Sequence, residues 1–312
     1  MHIEATIGSI INLNASSRMR RTPWPIIQWT LIRLLLSMVT LTTLQTLAVA
    51  SDNQWELVWS DEFQSDNNKV DTNKWAYEEG FLRNEEAQYY TRSERNVAVS
   101  DGKLIITARQ ETLPNKDYWK DAPNGSKWVM TRKTSRYTSG SISTEGKFSF
   151  TYGRVDVRAR LPSGNGTWPA IWLIGASLPE IGWPGCGEID VMEHLGRQPG
   201  HIYASIHYQG ADDQTVMRNN KLATESAATE YHVYTLIWSR EAIIVMMDDH
   251  PYFEVSYSDL PPFKNGENPF QRPFSIKLNL ALGGEWAGAV DSGILPQQFI
   301  IDYVRVYKKK SH

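Results

Sequence analysis

Arg154-Val155-Asp156-Val157-Arg158-Ala159-Arg160-Leu161 alternates apolar and charged residues at period two. That is the pattern of a strand with one buried face. Ile276, Leu278, Leu280 and Leu282 repeat it, with Lys277 and Asn279 at alternate positions. Further out, Ala242 to Met247 is a buried-type apolar run. The turn residues Asp248-Asp249-His250-Pro251 close it, and Tyr252 to Tyr257 resumes as a strand. Leu104 to Ala108 follows the turn Asp101-Gly102, and Phe299 to Tyr307 is rich in β-branched and aromatic residues. No segment sustains helical periodicity beyond one or two turns. Many short strands separated by turn residues predict an all-β sandwich or barrel.

The 312 residues are 41% apolar, 21% charged and 11% aromatic. This is globular composition and excludes a disordered, collagenous or polytopic membrane chain. A net charge of −3, from 32 basic and 35 acidic residues, leaves no electrostatic footprint for nucleic acid. The lone Cys186 excludes an intrachain disulfide and a cysteine-based zinc site. Twelve tryptophans are unusual. Tryptophan fills cores and also stacks on the apolar faces of sugar rings, and composition does not choose between the two.

The first fifty residues differ from the rest. Arg18, Arg20, Arg21 and Arg33 precede an uncharged apolar stretch, Leu34 to Leu47, that ends in Ala48-Val49-Ala50. Basic region, hydrophobic region and small-residue site stand in the order of a secretory signal peptide. The stretch is short for a membrane span, which needs about 20 apolar residues. Residues 1–50 are therefore expected to be a signal peptide with an upstream segment, cleaved after Ala50. Met19, directly before Arg20-Arg21, is an alternative start. The protein is expected to be secreted or periplasmic, with no membrane span after cleavage. Removing residues 1–50 leaves 28 basic and 34 acidic groups. Residues 111–139 are polar and irregular, with Pro114, Pro123 and Gly125, and a loop this long is often functional. No Pro/Ser linker or internal repeat divides 51–312, which reads as one domain.

Gly187-Glu188-Ile189-Asp190-Val191-Met192-Glu193-His194 carries the chemistry. On a regular strand Glu188, Asp190 and Met192 share a face and Glu193 points the other way. One extra residue between Asp190 and Glu193, a β-bulge, would put all three acids on one face. Four strand steps then separate the glutamate Cα atoms by about 13 Å. Two glutamates reaching toward each other recover roughly 3–4 Å apiece. The remaining gap is near the roughly 5–5.5 Å of retaining glycosidases and below the 6.5–9.5 Å of inverting ones. Clustered acids raise each other's proton affinity, and a protonated glutamate beside an ionised one is the pair that glycoside cleavage uses. Spacing alone leaves three readings open: catalysis, a solvated strand face, and a metal cluster.

Gly187 to Glu193 resembles the active-site strand of glycoside hydrolase family 16, and the resemblance extends over residues 55–307. Trp55-Glu56-Leu57-Val58-Trp59-Ser60-Asp61-Glu62-Phe63 is similar to the family's opening strand, and Asn84-Glu85-Glu86-Ala87-Gln88-Tyr89-Tyr90-Thr91 to a cleft-forming segment. Gly146-Lys147-Phe148, Tyr152-Gly153-Arg154, Trp168-Pro169-Ala170-Ile171-Trp172, Asn279 to Gly284 and Asp302 to Tyr307 also fit. The bulged acid spacing resembles the laminarinase branch, endo-1,3-β-glucanases. The resemblance implies a concanavalin A-like β-jelly-roll with a substrate cleft along its concave sheet. It further implies that Glu188 is the nucleophile, Glu193 the acid and base, and Asp190 the residue that orients Glu188. It places Asn84, Trp168, Trp172, His207 and Trp286 against the sugar.

One departure stands out. Relatives carry an arginine after the Thr-Ser-Gly stretch, whereas Ser141 follows Thr138-Ser139-Gly140 here, with Arg136 the expected substitute. Catalysis needs no cofactor on this reading. A structural calcium ion is expected at Glu62, Gly102 and Asp302, far from the acids, since calcium takes carboxylate and carbonyl oxygens. The expected function is an exported, retaining endo-glycosidase, monomeric, acting on β-1,3- or β-1,3-1,4-glucan. The alternatives are a non-catalytic glucan-binding protein on the same fold, which usually lacks one or both of the glutamates, and agarase- or carrageenase-type specificity.

Overall fold

The computed structural model describes residues 54–65 and 67–310. The expected signal peptide and its cleavage site lie outside the described residues. Strands form where the alternation predicts them and pair into two sheets. In chain order they are β1 (Trp55–Asp61), β2 (Ala76–Tyr77), β3 (Gln88–Tyr90), β4 (Val97–Ser100), β5 (Lys103–Gln110), β6 (Tyr137–Ser139), β7 (Ser141–Ser143), β8 (Gly153–Arg160) and β9 (Thr167–Gly175). They continue as β10 (Glu188–His194), β11 (His201–Gln209), β12 (Thr215–Ala223), β13 (His232–Trp238), β14 (Ala242–Met247), β15 (His250–Ser256), β16 (Phe274–Leu282) and β17 (Gln297–Lys309). The α-helices among the described residues are three single turns of four residues.

One sheet runs β15-β14-β13-β8-β17-β5-β6-β3, with β1 added to β17 and β4 to β5; the other runs β12-β11-β10-β9-β16-β7-β2. Pairing is antiparallel except between β3 and β6. Their inner faces share one core, in which Val155, Val157 and Ala159 of β8 meet Ile276, Leu278 and Leu280 of β16. This is the jelly-roll sandwich.

The sequence pattern differs from the structure in two places. β16 is buried on both faces, because Lys277 and Asn279 are covered and only 3% and 4% exposed. Neighbouring side chains, Glu78 and Trp172 over Lys277 and Trp172 and Tyr90 over Asn279, take the place of solvent. β12 was not legible: Thr-Val-Met-Arg-Asn-Asn-Lys-Leu-Ala is an almost wholly exposed edge strand without alternation. Within 111–139, the last residues pair as β6 and Trp128–Thr131 makes one helical turn.

Candidate active site

The expected bulge is present on β10. Against β11, Glu188 faces His207, Asp190 faces Ser205 and Glu193 faces Tyr203, so three steps on β10 span two on β11. Against β9 the slip falls between Asp190 and Met192. Val191 has no register partner on either side. The consequence is visible in the core, where the adjacent Val191 and Met192 are both fully buried. Pointing two successive side chains inward returns Glu193 to the face of Glu188 and Asp190.

Each acid has its own surroundings. Trp183 Nε1 donates to Glu188 Oε2 at 3.0 Å. Trp168 Nε1 donates to Glu193 Oε1 at 3.0 Å. Ser205 Oγ donates to Asp190 Oδ2. His207 Nε2 lies 3.4 Å from the same Asp190 oxygen and 4.0 Å from Glu188 Oε1. Burial, then the charge of Asp190, pushes the Glu188 carboxyl up to about 8, while His207, Arg83 and the Trp183 N–H pull it back. Glu193 is raised well above the carboxylate range, first by burial and then by Asp190 and Glu188. Only the Trp168 hydrogen bond opposes this, and no cation does. Both glutamates are thus pushed toward the neutral form, and of the two only Glu188 has cations, His207 and Arg83, that oppose the shift. Burial disfavours a charged His207, but its hydrogen bond to Asp190 and the nearby carboxylates outweigh this and raise its pKa.

The structure brings all eight expected cleft residues to one cavity of about 800 Å³ on the outer face of the seven-stranded sheet: Asn84, Trp168, Trp172, Glu188, Asp190, Glu193, His207 and Trp286. Trp286 packs edge-on against Trp168, with centroids 5.0 Å apart, and against Tyr203 at 5.3 Å. Asn84 reaches Glu86, donating from Nδ2 to Oε1 at 3.3 Å. Trp172 Nε1 donates to Asn279 Oδ1 at 2.7 Å. Cys186 is a buried thiol, as expected, its pKa pushed up to about 11 by burial.

Sequence reasoning missed several lining residues. Arg83 is one: its guanidinium lies 5.0 Å from the Trp172 ring centroid and 3.5 Å from Ser141 Oγ. Arg136, the expected substitute, is exposed and outside the cavity. Lys277 Nζ lies 5.4 Å from the same ring. Both cations bind Glu78, Arg83 at 2.5 Å and Lys277 at 2.7 Å. Trp183, half exposed at 51%, overhangs Glu188 from the loop before β10. Its signal was present, since Gly182-Trp183-Pro184 sits five residues before Glu188, but nothing local says that the loop folds back.

The metal-cluster reading and the calcium expectation fall in different places. Among the described residues, Glu188, Asp190 and His207 form the one His/Cys/Asp/Glu group whose donors lie within 4.8 Å of one another. The expected calcium segments do converge. Asp61 pairs with Val304 and Leu104 with Ile301, and Asp302 is the extra residue of a slip in β17. The carboxylates there are committed, Asp302 to Arg158 at 2.5 Å and Glu62 to Arg305 at 2.8 Å. The Glu62 carbonyl accepts from Gln64 Nε2 at 3.3 Å, and that amide lies against Gly102. An ion there would have to displace the Gln64 amide from the Glu62 carbonyl and draw Asp302 from Arg158.

Comparison with known proteins accords with this geometry. The chain is 38% identical over 264 residues to a β-glucanase of Rhodothermus marinus, covering 81% of this chain and 85% of that one. The laminarinase structure from Rhodothermus marinus superposes with a TM-score of 0.70 at 37% identity, covering 82% of this chain and 98% of that one. A structure from work on endo-acting O-glycanases of the human gut microbiota superposes at 0.76 with 34% identity, covering 83% and 92%. Residues 84–305, which hold the bulged strand and all eight expected cleft residues, match the glycosyl hydrolases family 16, and the chain belongs to that family.

Proposed function

We propose that this glycoside hydrolase cleaves β-1,3-glucan, or mixed β-1,3-1,4-glucan, inside the chain with retention of configuration. The carrying observation is the bulged strand that sets Glu188, Asp190 and Glu193 side by side under a tryptophan-lined cleft. The Glu188 carboxylate, the form that His207 and Arg83 favour, attacks the anomeric carbon. Glu193 gives its proton to the departing glycosidic oxygen, and a glycosyl ester forms on Glu188. Glu193, now a base, takes a proton from water, which displaces Glu188 and regenerates both groups. Asp190, fixed by Ser205 and His207, orients the nucleophile and sets the charge that keeps Glu193 protonated. The cavity of about 800 Å³ receives the sugars, with Trp168, Trp172, Trp286 and Trp183 offering rings or N–H donors and Asn84 an amide. No helix among the described residues is long and apolar enough to cross a membrane; export after cleavage at Ala50, a monomeric state and a structural calcium ion at Glu62, Gly102 and Asp302 complete the proposal.

A second reading is a galactose-containing glycan. It is favoured by the likeness to the O-glycanase structure and by 33% identity to a keratan-sulfate endo-1,4-β-galactosidase of Sphingobacterium multivorum, over 86% of this chain and 58% of that one. The Arg83 and Lys277 pair is the feature of this cleft that would serve a different sugar. The test is a panel of laminarin, mixed-linkage glucan, agarose, keratan sulfate and mucin O-glycans, with linkage analysis and NMR of the first products. An early ladder of β-anomeric laminari-oligosaccharides is expected. Early α-anomer contradicts retention, glucose as sole early product contradicts endo action, and faster release from keratan sulfate or mucin selects the second reading.

A further inference from the structure

The bulge that gathers the acids carries a liability. Val191 is out of register with both neighbouring strands, and its carbonyl faces a fully buried interior. An unpaired buried carbonyl costs roughly 1–3 kcal/mol, which pulls the strand toward the regular register. In that register residue 193 points into the core and the site is lost.

The partner comes from the opposite sheet. Tyr252 Oη donates to the Val191 carbonyl at 2.5 Å, across the sandwich from β15. β15 is itself slipped at this point: Val245 faces Phe253 and Met246 faces Pro251, so Tyr252 is the extra residue. The adjacent Tyr252 and Phe253 are accordingly both buried, 6% and 5% exposed. Pro251, with no N–H for the ladder, suits the slip. Asn220 Nδ2 fixes the Tyr252 carbonyl at 2.8 Å. Two bulges in two sheets thus meet at one hydrogen bond. Burial raises the phenol well above its ordinary pKa, so it remains a donor at any working pH.

We infer that Tyr252 is a positioning residue, which aims Glu193 by holding the carbonyl that the bulge of the acid strand frees. This rests on the assignment of Glu193 as proton donor. Tyr252 touches no substrate, and its effect on the reaction runs through the phase of β10.

The experiment compares Tyr252→Phe with the parent on the polysaccharide and on an aryl β-glycoside whose leaving group needs no proton. On the polysaccharide kcat is expected to fall roughly 10- to 100-fold with KM nearly unchanged, the size expected of a misaimed group. The aryl glycoside is expected to lose less than about threefold in its glycosylation step, because no acid is needed there. In a Glu193→Gln background, Tyr252→Phe is expected to add nothing further. Replacement of Tyr252 by 4-aminophenylalanine, which keeps a donor, restores turnover, and 4-methylphenylalanine, which fills the space without one, does not. Those two also decide the matter if Tyr252→Phe folds poorly. Equal losses on both substrates, no loss, or a full further loss in the Glu193→Gln background overturns the inference. If Glu193→Gln itself shows no leaving-group dependence, the donor assignment falls and takes this inference with it. If Glu193→Gln is selective and Tyr252→Phe is not, only the inference falls.

Discussion

Glu78, which binds the cleft residues Arg83 and Lys277, and Glu188 on the acid strand each have 18% of the side chain exposed, and they are driven in opposite directions. Burial favours the neutral acid at both. At Glu78, Arg83 and Lys277 overwhelm it and hold the carboxyl well below its ordinary range. At Glu188 the nearest charge is another carboxylate, Asp190, and the carboxyl is pushed up to about 8. The same contrast separates the cleft from the ten-stranded sheet, where Asp156 pairs with Arg154 and Glu62 with Arg305. Equal burial does not set a carboxylate's task; its nearest charges do. Paired acids hold the fold together, and like-charged neighbours make acids that exchange protons near neutrality.

The widest effect should come from the unpaired end. Glu188→Gln and Glu193→Gln are each expected to lower hydrolysis by roughly a thousandfold or more while the protein stays folded. Asp190→Asn should retain more activity than Glu188→Gln. Azide should restore turnover of an activated aryl glycoside to the Glu193 variant, giving a β-glycosyl azide, because it replaces the missing base. A β-glycosyl azide from the Glu188 variant, or an α-glycosyl azide from the Glu193 variant, means the two roles are reversed.

Glu78→Gln tests the paired end. It leaves Arg83 and Lys277 beside Trp172 without their shared counter-ion, and removing one partner of a buried pair costs about 3–5 kcal/mol. The thermal midpoint should fall by roughly 10 °C. An unchanged midpoint means that water, not Glu78, carries these cations.

His207→Gln sharpens the contrast by removing a cation from the unpaired end. Protonated His207 favours the Glu188 anion, so its loss raises the apparent pKa of the coupled pair. The acid limb of kcat/KM, already above the ordinary glutamate value of about 4.3, should move to higher pH. Movement to lower pH breaks the electrostatic account.

The smallest effect is expected on the far sheet. EDTA should lower the midpoint by a few degrees and calcium should restore it, the gain growing as RT ln(1 + [L]/Kd), about 2.7 kcal/mol at a hundredfold excess. Asp302→Ala should abolish the response. An unaltered midpoint, with no calcium by elemental analysis, removes the ion from the proposal.

The strands were legible where one face meets solvent. The alternation from Arg154 to Leu161 places β8 within a residue, and Ala242 to Met247 coincides with β14. β12 escaped because an exposed edge strand has no inward face to mark its period. Lys277 and Asn279 read as solvent positions because polarity in a strand looks the same whether water or a cleft covers it. The bulge was legible because three acids at that spacing share a face in one register only. Arg83 was not, since its place beside Ser141 joins residues 58 positions apart.

By itself, the sequence determined an all-β chain of sandwich or barrel type and an acid strand whose three acids share a face only through a bulge, because period, sign of charge and side-chain direction are local properties of a chain. Only the tertiary structure decided which glutamate has cations near it, that Arg83 rather than Arg136 enters the cleft, and that Tyr252 meets the carbonyl of Val191. Those outcomes depend on through-space distances between segments distant in the chain. Electrostatic energy and hydrogen bonding are set by such distances and by burial, which no local pattern records.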